Sequence, residues 1–239
     1  MTITQAGVFT QDTATRLFVG SLNQNGTGTN VIGDDITSDQ ADGITFSELV
    51  TLTSTIDDDT IVFDSSTNNG NITFDDVTAD GAGVSIDNAD NENIRLVAGL
   101  ADITVDGEIN LGAGVGTGDI TITSGDQVTF NNTVLAENFD QQASTGTGLT
   151  IFNDNAVFNI DGDFSFTGNN LTITANGTSD VLNAMTVTQA GTYTQVTDSL
   201  LTVGSFLQDG AGTNVIGDCL LYTSPSPRDL STSRMPSSA

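Results

Sequence analysis

The sequence predicts an all-β fold and, within that class, a parallel β-solenoid (β-helix). Three observations lead to this prediction: short runs of alternating apolar and polar residues, tight corners rich in Gly, Asn and Asp, and no convincing helical period over ten residues. Alternation with a period of two places every second side chain on one face, so each run indicates a half-buried strand. The alternative architecture is an antiparallel β-sandwich, in which strands recur about every 8–12 residues.

The alternating runs identify the residues that are expected to point inward. Three such runs place a pair of apolar side chains on one face and Thr, Ser or Asn on the other; the inward pairs are Ile120 and Ile122, Phe164 and Phe166, and Leu171 and Ile173. Residues 17–22 and 200–207 come closest to a helical pattern, although both segments are rich in Val, Phe and Thr. The core is therefore expected to be narrow and built from strands.

Corners and spacing favour the solenoid. Pairs such as Asp106-Gly107 and Asn176-Gly177 tolerate the left-handed backbone of tight turns. We expect turns of roughly 20–25 residues that bury their apolar faces by stacking, and about ten turns would give a rod ~50 Å long. A similar pattern at 70–74, 119–122 and 170–173 is expected to mark equivalent stacked strands. The Asn pairs at 68–69, 131–132 and 169–170 are expected to form side-chain ladders.

A long internal repeat organises the chain. Residues 1–34 recur at 185–218 with a fixed offset of 184, and 22 of the 34 positions are identical. Long tandem units produce such self-similarity. Residues 1–218 are therefore interpreted as a solenoid segment with one 184-residue unit and the truncated start of a second, cut from a larger repetitive protein. Met1 aligns with the interior residue Met185, so an internal start is expected there.

The final segment, residues 219–239, differs from the rest. It holds all three prolines, the only cysteine (Cys219) and two of the four arginines, and no apolar period runs through it. This composition predicts a disordered tail. The segment also resembles translated sequencing-adapter DNA, which would make it an artefact at the end of a contig. It is left out of the fold prediction in either case.

The chain is strongly acidic. It has 31 Asp and Glu against four Lys and Arg and no His, which gives a formal net charge of −27. Such a field repels nucleic acids and anionic membranes, so neither is expected as a partner. No apolar stretch approaches the length of a transmembrane helix, so membrane insertion is not expected either.

Residue types that are missing from residues 1–218 exclude several kinds of catalysis. Without His, Cys or Lys, these residues cannot form a Ser-His-Asp triad, a Cys-His pair, a histidine zinc site or a Schiff base. Paired carboxylates remain, and glycoside cleavage needs only two of them. The enzymatic alternative is a polysaccharide-cleaving β-helix that uses Asp87, Asp90 and Glu92 near Arg95. A polar corner with a charge-paired Arg95 explains the same residues, so no catalysis is expected.

Two acidic segments are candidate calcium sites. Calcium prefers six to eight oxygen ligands from carboxylates, amides and the backbone. The candidate carboxylates are Asp57, Asp58, Asp59, Asp87, Asp90 and Glu92. Neither segment matches an EF-hand loop or a calcium β-roll nonapeptide, and ordinary acidic turns are the alternative. Calcium is the only cofactor hypothesis, and a calcium-dependent antiparallel adhesion module is a further alternative function.

Two runs carry a resemblance to a known group. GDITITSGDQVTFNNTV (118–134) and GNNLTITANGT (168–178) resemble bacterial β-strand-repeat surface proteins, the β-helical shafts of filamentous-haemagglutinin-like and autotransporter-type proteins. The resemblance covers about residues 50–218 and rests on low-complexity motifs. It implies a non-catalytic structural or adhesive segment of a large exported protein, secreted or on the cell surface. The expected partners are glycan or protein surfaces, and other copies of the chain through the solenoid ends.

Overall fold

The strands of the protein coil into a parallel β-solenoid. A computed structural model describes residues 1–54, 59–75, 84–88, 91–112, 118–143, 148–217 and 220–222. Every strand pairing within these residues is parallel, and the solenoid has about nine turns. The predicted architecture is therefore confirmed. The antiparallel sandwich is wrong, because neighbouring strands come from successive turns and not from hairpins.

Most of the strands contain three to five residues. The first eleven are β1 (Thr2–Ile3), β2 (Phe9–Gln11), β3 (Leu17–Val19), β4 (Leu22–Gln24), β5 (Asn30–Ile32), β6 (Ile36–Ser38), β7 (Ile44–Phe46), β8 (Val50–Leu52), β9 (Thr60–Asp64), β10 (Ile72–Phe74) and β11 (Val84–Asn88). The next eleven are β12 (Asn93–Val97), β13 (Ile103–Val105), β14 (Glu108–Asn110), β15 (Ile120–Ser124), β16 (Gln127–Phe130), β17 (Val134–Ala136), β18 (Phe139–Gln141), β19 (Leu149–Phe152), β20 (Phe158–Ile160), β21 (Phe164–Gly168) and β22 (Asn170–Ile173). The last five are β23 (Gly177–Gln189), β24 (Thr192–Gln195), β25 (Ser199–Gln208), β26 (Thr213–Ile216) and β27 (Leu220–Tyr222).

Helical structure is confined to one short turn in the part of the chain that the structure describes. This is a 3₁₀ turn at Ser66–Asn68, between β9 and β10. None of the described helical structure has the length and apolar character needed to span a bilayer.

Each turn contributes strands to three faces. Face 1 is a ten-stranded sheet in the order β1-β4-β7-β10-β13-β16-β19-β22-β24-β26. Face 2 runs from β2 through β5, β8, β11, β14, β17 and β20 into the first half of β23. Face 3 runs from β3 through β6, β9, β12, β15, β18 and β21 into the second half of β23. Because β23 and β25 each bend around a corner, faces 2 and 3 form one 17-stranded sheet.

The turns differ in length. On face 1, Thr2 pairs with Asn23, which is 21 residues further along the chain, whereas Ile72 pairs with Ile103, which is 31 residues further. The strands keep their register across this difference, so the extra residues lie in the corners. The expected range of roughly 20–25 residues fits the short turns and underestimates the long ones.

The interior is one continuous apolar column. All six residues of the predicted inward pairs have no exposed surface, so this prediction is confirmed. Parallel pairing places aromatic rings above one another: Phe46 stacks on Phe74 at 5.7 Å between ring centroids, and Phe130 stacks on Phe152 at 4.8 Å. The second distance equals the spacing of ~4.8 Å between hydrogen-bonded strands. Each ring therefore packs on the next turn.

Asn and Asp side chains form a ladder along the corner between faces 2 and 3. The Oδ1 atom of each accepts a hydrogen bond from a backbone N–H of the next turn: Asn93 from Asp119 at 2.7 Å, Asp119 from Asn138 at 3.1 Å, Asn138 from Asp163 at 2.9 Å and Asp163 from Ala184 at 3.0 Å. The Nδ2 group of Asn138 also donates to Asp119 at 2.8 Å. Neutral and charged side chains alternate, so no two carboxylates are adjacent along this row.

The predicted ladders of Asn pairs take a different form. Asn69 and Asn170 lie at the corner between faces 3 and 1, where their Oδ1 atoms accept from the N–H groups of Leu100 and Thr192. Asn131 lies at another corner, between faces 1 and 2, and donates to Asp106 at 2.6 Å. The three pairs therefore do not stack on one another, because Asn131 lies at a different corner and intervening turns separate Asn69 from Asn170.

One further expectation from local sequence is wrong. The pattern at 119–122 belongs to β15 on face 3, whereas 70–74 and 170–173 contribute β10 and β22 to face 1. The segments 17–22 and 200–207, which come closest to a helical pattern, contribute strands, in agreement with the all-β prediction. A local pattern specifies a strand and its inward side, but the number of preceding strands decides which face it joins.

The two copies of the repeat have the same local structure. Gln11 and Gln195 both point inward, and their Nε2 groups donate to backbone carbonyls four residues ahead, at 2.6 and 2.5 Å. Ala14 and Asp198 both have positive φ angles, of 62° and 71°. The 184-residue offset relates both pairs, so the repeated sequence specifies the same corner twice.

The equivalent strands nevertheless lie on different faces. β2 is on face 2, and its repeat, β24, is on face 1. β3 is on face 3, and its repeat lies in the face-2 half of β25. The second copy is therefore rotated by one face about the axis, because the unit does not contain a whole number of turns.

Of residues 219–239 the structure describes only β27, which pairs with β25, and the disordered tail stays a prediction.

The ladder beside Asp119 provides a test of like-charge stacking. Replacement of Asn138 by Asp removes the Nδ2 donor and places a carboxylate next to that of Asp119. We expect N138D to lower the free energy of unfolding at pH 7 by ~0.5–2 kcal/mol. The decrease should be smaller below pH 4, because the carboxyl groups are then protonated and no longer repel each other. Urea unfolding at both pH values measures this difference.

The matched control is N170D. Its neighbours on adjacent strands, Leu149 and Thr192, carry no charge, and the new carboxylate keeps an acceptor for the Thr192 N–H. We expect a smaller loss at pH 7. An N138D variant as stable as the parent at pH 7 would contradict the role assigned to the alternation of Asn and Asp.

Candidate functional site

A polar groove crosses face 3 in the first four turns. Its volume is about 500 Å³, which is within the range of small-molecule sites, ~300–1,000 Å³. It is lined by Thr13, Ala14, Arg16, Asp34, Asp35, Ser54, Asp59, Thr60, Val62 and Arg95. The lining combines two guanidinium groups, three carboxylates and several hydroxyls, and more of its surface is polar than apolar. This arrangement suits a hydroxyl-rich polar ligand.

The local structure of the first corner places Arg16 at one side of the groove. The buried Gln11 amide donates to the carbonyls of Thr15, at 2.6 Å, and Asp35, at 3.1 Å. Arg16 follows this fixed corner, and its Nε atom lies 3.3 Å from Asp35 Oδ2 and 3.8 Å from Asp34 Oδ1. The Arg16 side chain is 66% exposed, so its ion pairs contribute little to stability. Their effect is to neutralise much of the local charge.

Arg95 comes from the middle of β12 and points outward from face 3. It lies beside Val62 of β9 and Thr121 of β15 in the sheet. Arg16 and Arg95 are the only basic side chains in residues 1–218, and both line this groove. Within the described part of the chain, the only ion pairs are those of Arg16. Among the described residues, Arg95 is therefore the groove arginine that is not paired with a carboxylate.

The candidate calcium segments meet at one corner. Ser54 links them: its Oγ donates to Asp59 Oδ2 at 2.9 Å, and its N–H donates to Oε1 of the fully buried Glu92. The Asn93 N–H also donates to the Asp59 carbonyl at 2.7 Å. The segments lie in successive turns, so stacking joins two acidic corners that are distant in sequence. Asp57, Asp58 and Asp90 lie outside the described residues. Among the residues described here, no three His, Cys, Asp or Glu are grouped closely enough to hold a metal ion.

Asp87 lies away from this corner. It belongs to β11 on face 2, whereas Arg95 lies on face 3 and Glu92 is buried between them. The structure therefore does not bring Asp87 and Glu92 to one surface with Arg95. Burial and the neighbouring Asp87 carboxylate instead raise the pKa of Glu108 above its usual 4.5.

Of the ten residues that line the groove, only Asp59 and Arg95 are candidates from the sequence. Arg16, Asp34 and Asp35 come from the first two turns and Ser54 from the third, far from Arg95 in sequence. The adjacent acids Asp34-Asp35 are visible in the sequence, but the offset that brings Arg16 beside Asp35 is 19 residues, which is shorter than the expected range of roughly 20–25. The link to Arg95 depends on the longer turns, which the sequence does not reveal.

A third polar row follows the corner between faces 1 and 2 and places two carboxylates together. Asp75 Oδ2 accepts from Ser47 Oγ at 3.3 Å, and Asp106, in the next turn, accepts from Asn131 at 2.6 Å. Burial and then the Asp106 carboxylate raise the pKa of Asp75 above 3.8, although the hydrogen bond from Ser47 lowers it. This row lacks the Asn that would separate the two charges.

Comparison with known proteins found no matching family, no similar curated protein and no similar solved structure. The chemistry open to the groove and the acidic corner is therefore inferred from their own side chains.

Replacement of Asp75 by Asn tests the charged row. The raised pKa means that the folded state holds this proton more tightly than the unfolded state. The carboxyl's stabilising contribution is therefore complete below pH 3.8 and is lost as pH rises through the folded-state pKa. We expect D75N to raise the free energy of unfolding at pH 7 by ~0.2–1 kcal/mol, and the gain to disappear at pH 3.

Urea unfolding of the parent, D75N and D42N measures this effect. Asp42 is an exposed aspartate, so D42N removes one charge without touching the row. An equal gain at pH 3 and pH 7, or a D42N gain as large as that of D75N, would contradict the assignment to the burial of Asp75 and its Asp106 neighbour.

Calcium remains a prediction for the corner that contains Asp59 and Glu92. A site with calcium 100-fold above its Kd would add about 2.7 kcal/mol to the stability of the folded state. We expect calcium to raise the Tm of the parent and E108Q, and to raise that of E92Q much less. The Gln keeps an acceptor for the Ser54 N–H while it removes the charge. Equal calcium shifts in E92Q and the parent, or no shift in either, would contradict the hypothesis.

Proposed function

We propose that the chain is a non-catalytic segment of an exported bacterial surface protein, where it serves as a stiff spacer with adhesive side faces. The observation that carries this proposal is the in-register parallel stacking over about nine turns. Such stacking makes each turn depend on its neighbours and builds length along one axis.

The interior and the corners both support stiffness. Buried rings stack from turn to turn, as Phe139 does on Phe164 at 4.7 Å. At the corners, side-chain oxygens accept backbone N–H groups of the next turn, as Asp102 does from Gln127 at 3.1 Å and Asp126 from Gly148 at 3.0 Å. A bend between turns would separate the rings and break these hydrogen bonds, so bending is opposed from inside and outside.

The outward side of face 1 is regular and polar. One row follows the registered strands along the rod: Asn23, Thr45, Thr73, Thr104, Thr129, Ile151, Thr172 and Thr194. Thr suits the outward side of a strand because its β-branched side chain packs on the pleated surface. Such hydroxyl rows supply shallow polar contacts, which favour adhesion to extended partners over enclosure of a small substrate.

The proposed partners are glycan or protein surfaces along the sides of the rod, and other copies of the chain at its ends. Val215 and Ile216 of β26 are 53% and 46% exposed, whereas Ile32, the repeat equivalent of Ile216, is fully buried by β8. Such an apolar strand edge favours pairing with another edge. The secreted or cell-surface location belongs to the same proposal and is supported by the resemblance of the strand repeats.

Distances between spin labels test the spacer. Asn23 and Thr194 both point outward from face 1, seven strand steps apart, so labels at N23C and T194C should lie ~34 Å apart. Labels at N23C and T129C, four steps apart, should give ~19 Å. Both pairs are made in a C219S background, because Cys219 is the only native cysteine. We expect narrow distributions whose means scale with the number of strands.

Broad or overlapping distributions for the two pairs under native conditions would overturn the spacer. The absence of catalysis is tested separately by incubation with acidic and neutral polysaccharides and measurement of new reducing ends. Release of reducing ends that disappears in D90N would overturn the non-catalytic proposal and favour the alternative that uses Asp87, Asp90 and Glu92.

A further inference from the structure

We infer that the groove on face 3 is a binding site for an acidic sugar, with the Arg95 guanidinium as the group that recognises the sugar carboxylate. This inference deepens the adhesive part of the proposed function by assigning it a place and a ligand class. It starts from the placement of the two arginines.

The fold does not require the two arginines to meet. Arg16 precedes β3 in the first turn and Arg95 lies in β12 in the fourth, and 79 positions separate them in sequence. Outward positions are available on three faces of about nine turns, yet both side chains line the same groove. If the arginines served only to reduce the negative net charge of −27, any other outward position would reduce it by the same amount.

The two arginines have different surroundings. Arg16 is held by Asp34 and Asp35, so its charge is largely neutralised within the groove. Arg95 has no ion-pair partner among the described residues, and it is exposed. A guanidinium presents parallel N–H donors that match the two oxygens of a carboxylate. Arg95 is therefore the group to which an anionic ligand atom would bind.

The rest of the lining selects a sugar. The hydroxyls of Thr13, Ser54 and Thr60 and the carboxylates of Asp35 and Asp59 can accept or donate hydrogen bonds to ring hydroxyls. Val62 lies beside Arg95 in the sheet and also lines the groove, although only 9% of it is exposed. A volume of about 500 Å³ suits a short saccharide rather than a folded protein segment.

The charge of the chain narrows the ligand further. A strongly negative field repels multiply charged ligands, so polyphosphates and acidic peptides are disfavoured. A sugar with one carboxylate meets the least repulsion and still satisfies Arg95. The inferred ligand is therefore a saccharide that carries a single uronic acid residue among neutral sugars.

Binding of a trisaccharide with one uronic acid residue and two neutral sugar residues tests the inference. The comparison ligand is its methyl ester, which keeps the rings and hydroxyls but lacks the negative charge. Titration calorimetry is performed in chelator, so that calcium does not bridge the ligand. We expect the acid to bind the parent, and both the ester and R95Q to weaken binding by at least about tenfold, as for a charge-assisted hydrogen bond. R95K should lose less affinity for the acid than R95Q, because lysine keeps the positive charge.

D140N is the matched control. Asp140 lies outward on face 3, in β18, and it does not line the groove, so its loss should leave the affinity unchanged. Circular dichroism and Tm values confirm that each variant is folded. Equal affinity for acid and ester, equal affinity of R95Q and the parent, or no binding of the acid at millimolar concentration would overturn the inference. None of these results would alter the spin-label distances, so failure of the sugar site is distinguishable from failure of the spacer.

Discussion

In-register parallel stacking is the constraint on which the rest of the structure depends. Each side chain lies one strand spacing, ~4.8 Å, from its equivalents in the turns on either side, so every position must be compatible with a near copy of itself. Aromatic rings meet this condition, as the stack of Phe46 on Phe74 shows, and so do the threonines on face 1. Like charges do not: after burial, which is the larger cause, the neighbouring Asp106 carboxylate raises the pKa of Asp75.

The same constraint explains much of the acidity. The composition favours calcium sites or a solvated acidic surface, but many of the aspartates have a structural role. Asp102, Asp119, Asp126 and Asp163 each accept a backbone N–H from the next turn, where the chain bends and leaves that group without a strand partner. A carboxylate is a stronger acceptor than an amide, so Asp suits this position wherever its row neighbours are neutral.

Local features of the fold could be predicted from the sequence, and cumulative ones could not. Ile120, Ile122 and the other inward residues follow from alternation within one strand, and that information is present in five residues. Face membership depends on every preceding corner, which is why the pattern at 119–122 lies on face 3. The groove depends on the same cumulative lengths, since Arg95 lines the same groove as Arg16 only because the intervening turns have particular lengths. Each acidic segment can be recognised in the sequence, but the contact between the two segments at Ser54 cannot be predicted from it.

Comparison of the two copies of the repeat distinguishes the residues that maintain the fold from the surface residues that vary. The second copy keeps the residues that shape each corner: Gln195 repeats the inward amide of Gln11, and Gly217 crosses the backbone of the previous turn as closely as Gly33 does. The outward positions change, and Leu200 stands where the first copy has Arg16. A residue needed only for folding would be retained when the same corner is built again. Arg16 is not retained, so the groove is a surface feature found at one place along the rod and is not part of the repeated scaffold. Because the second copy is rotated by one face, its outward residues also face a different side of the rod from their equivalents in the first copy.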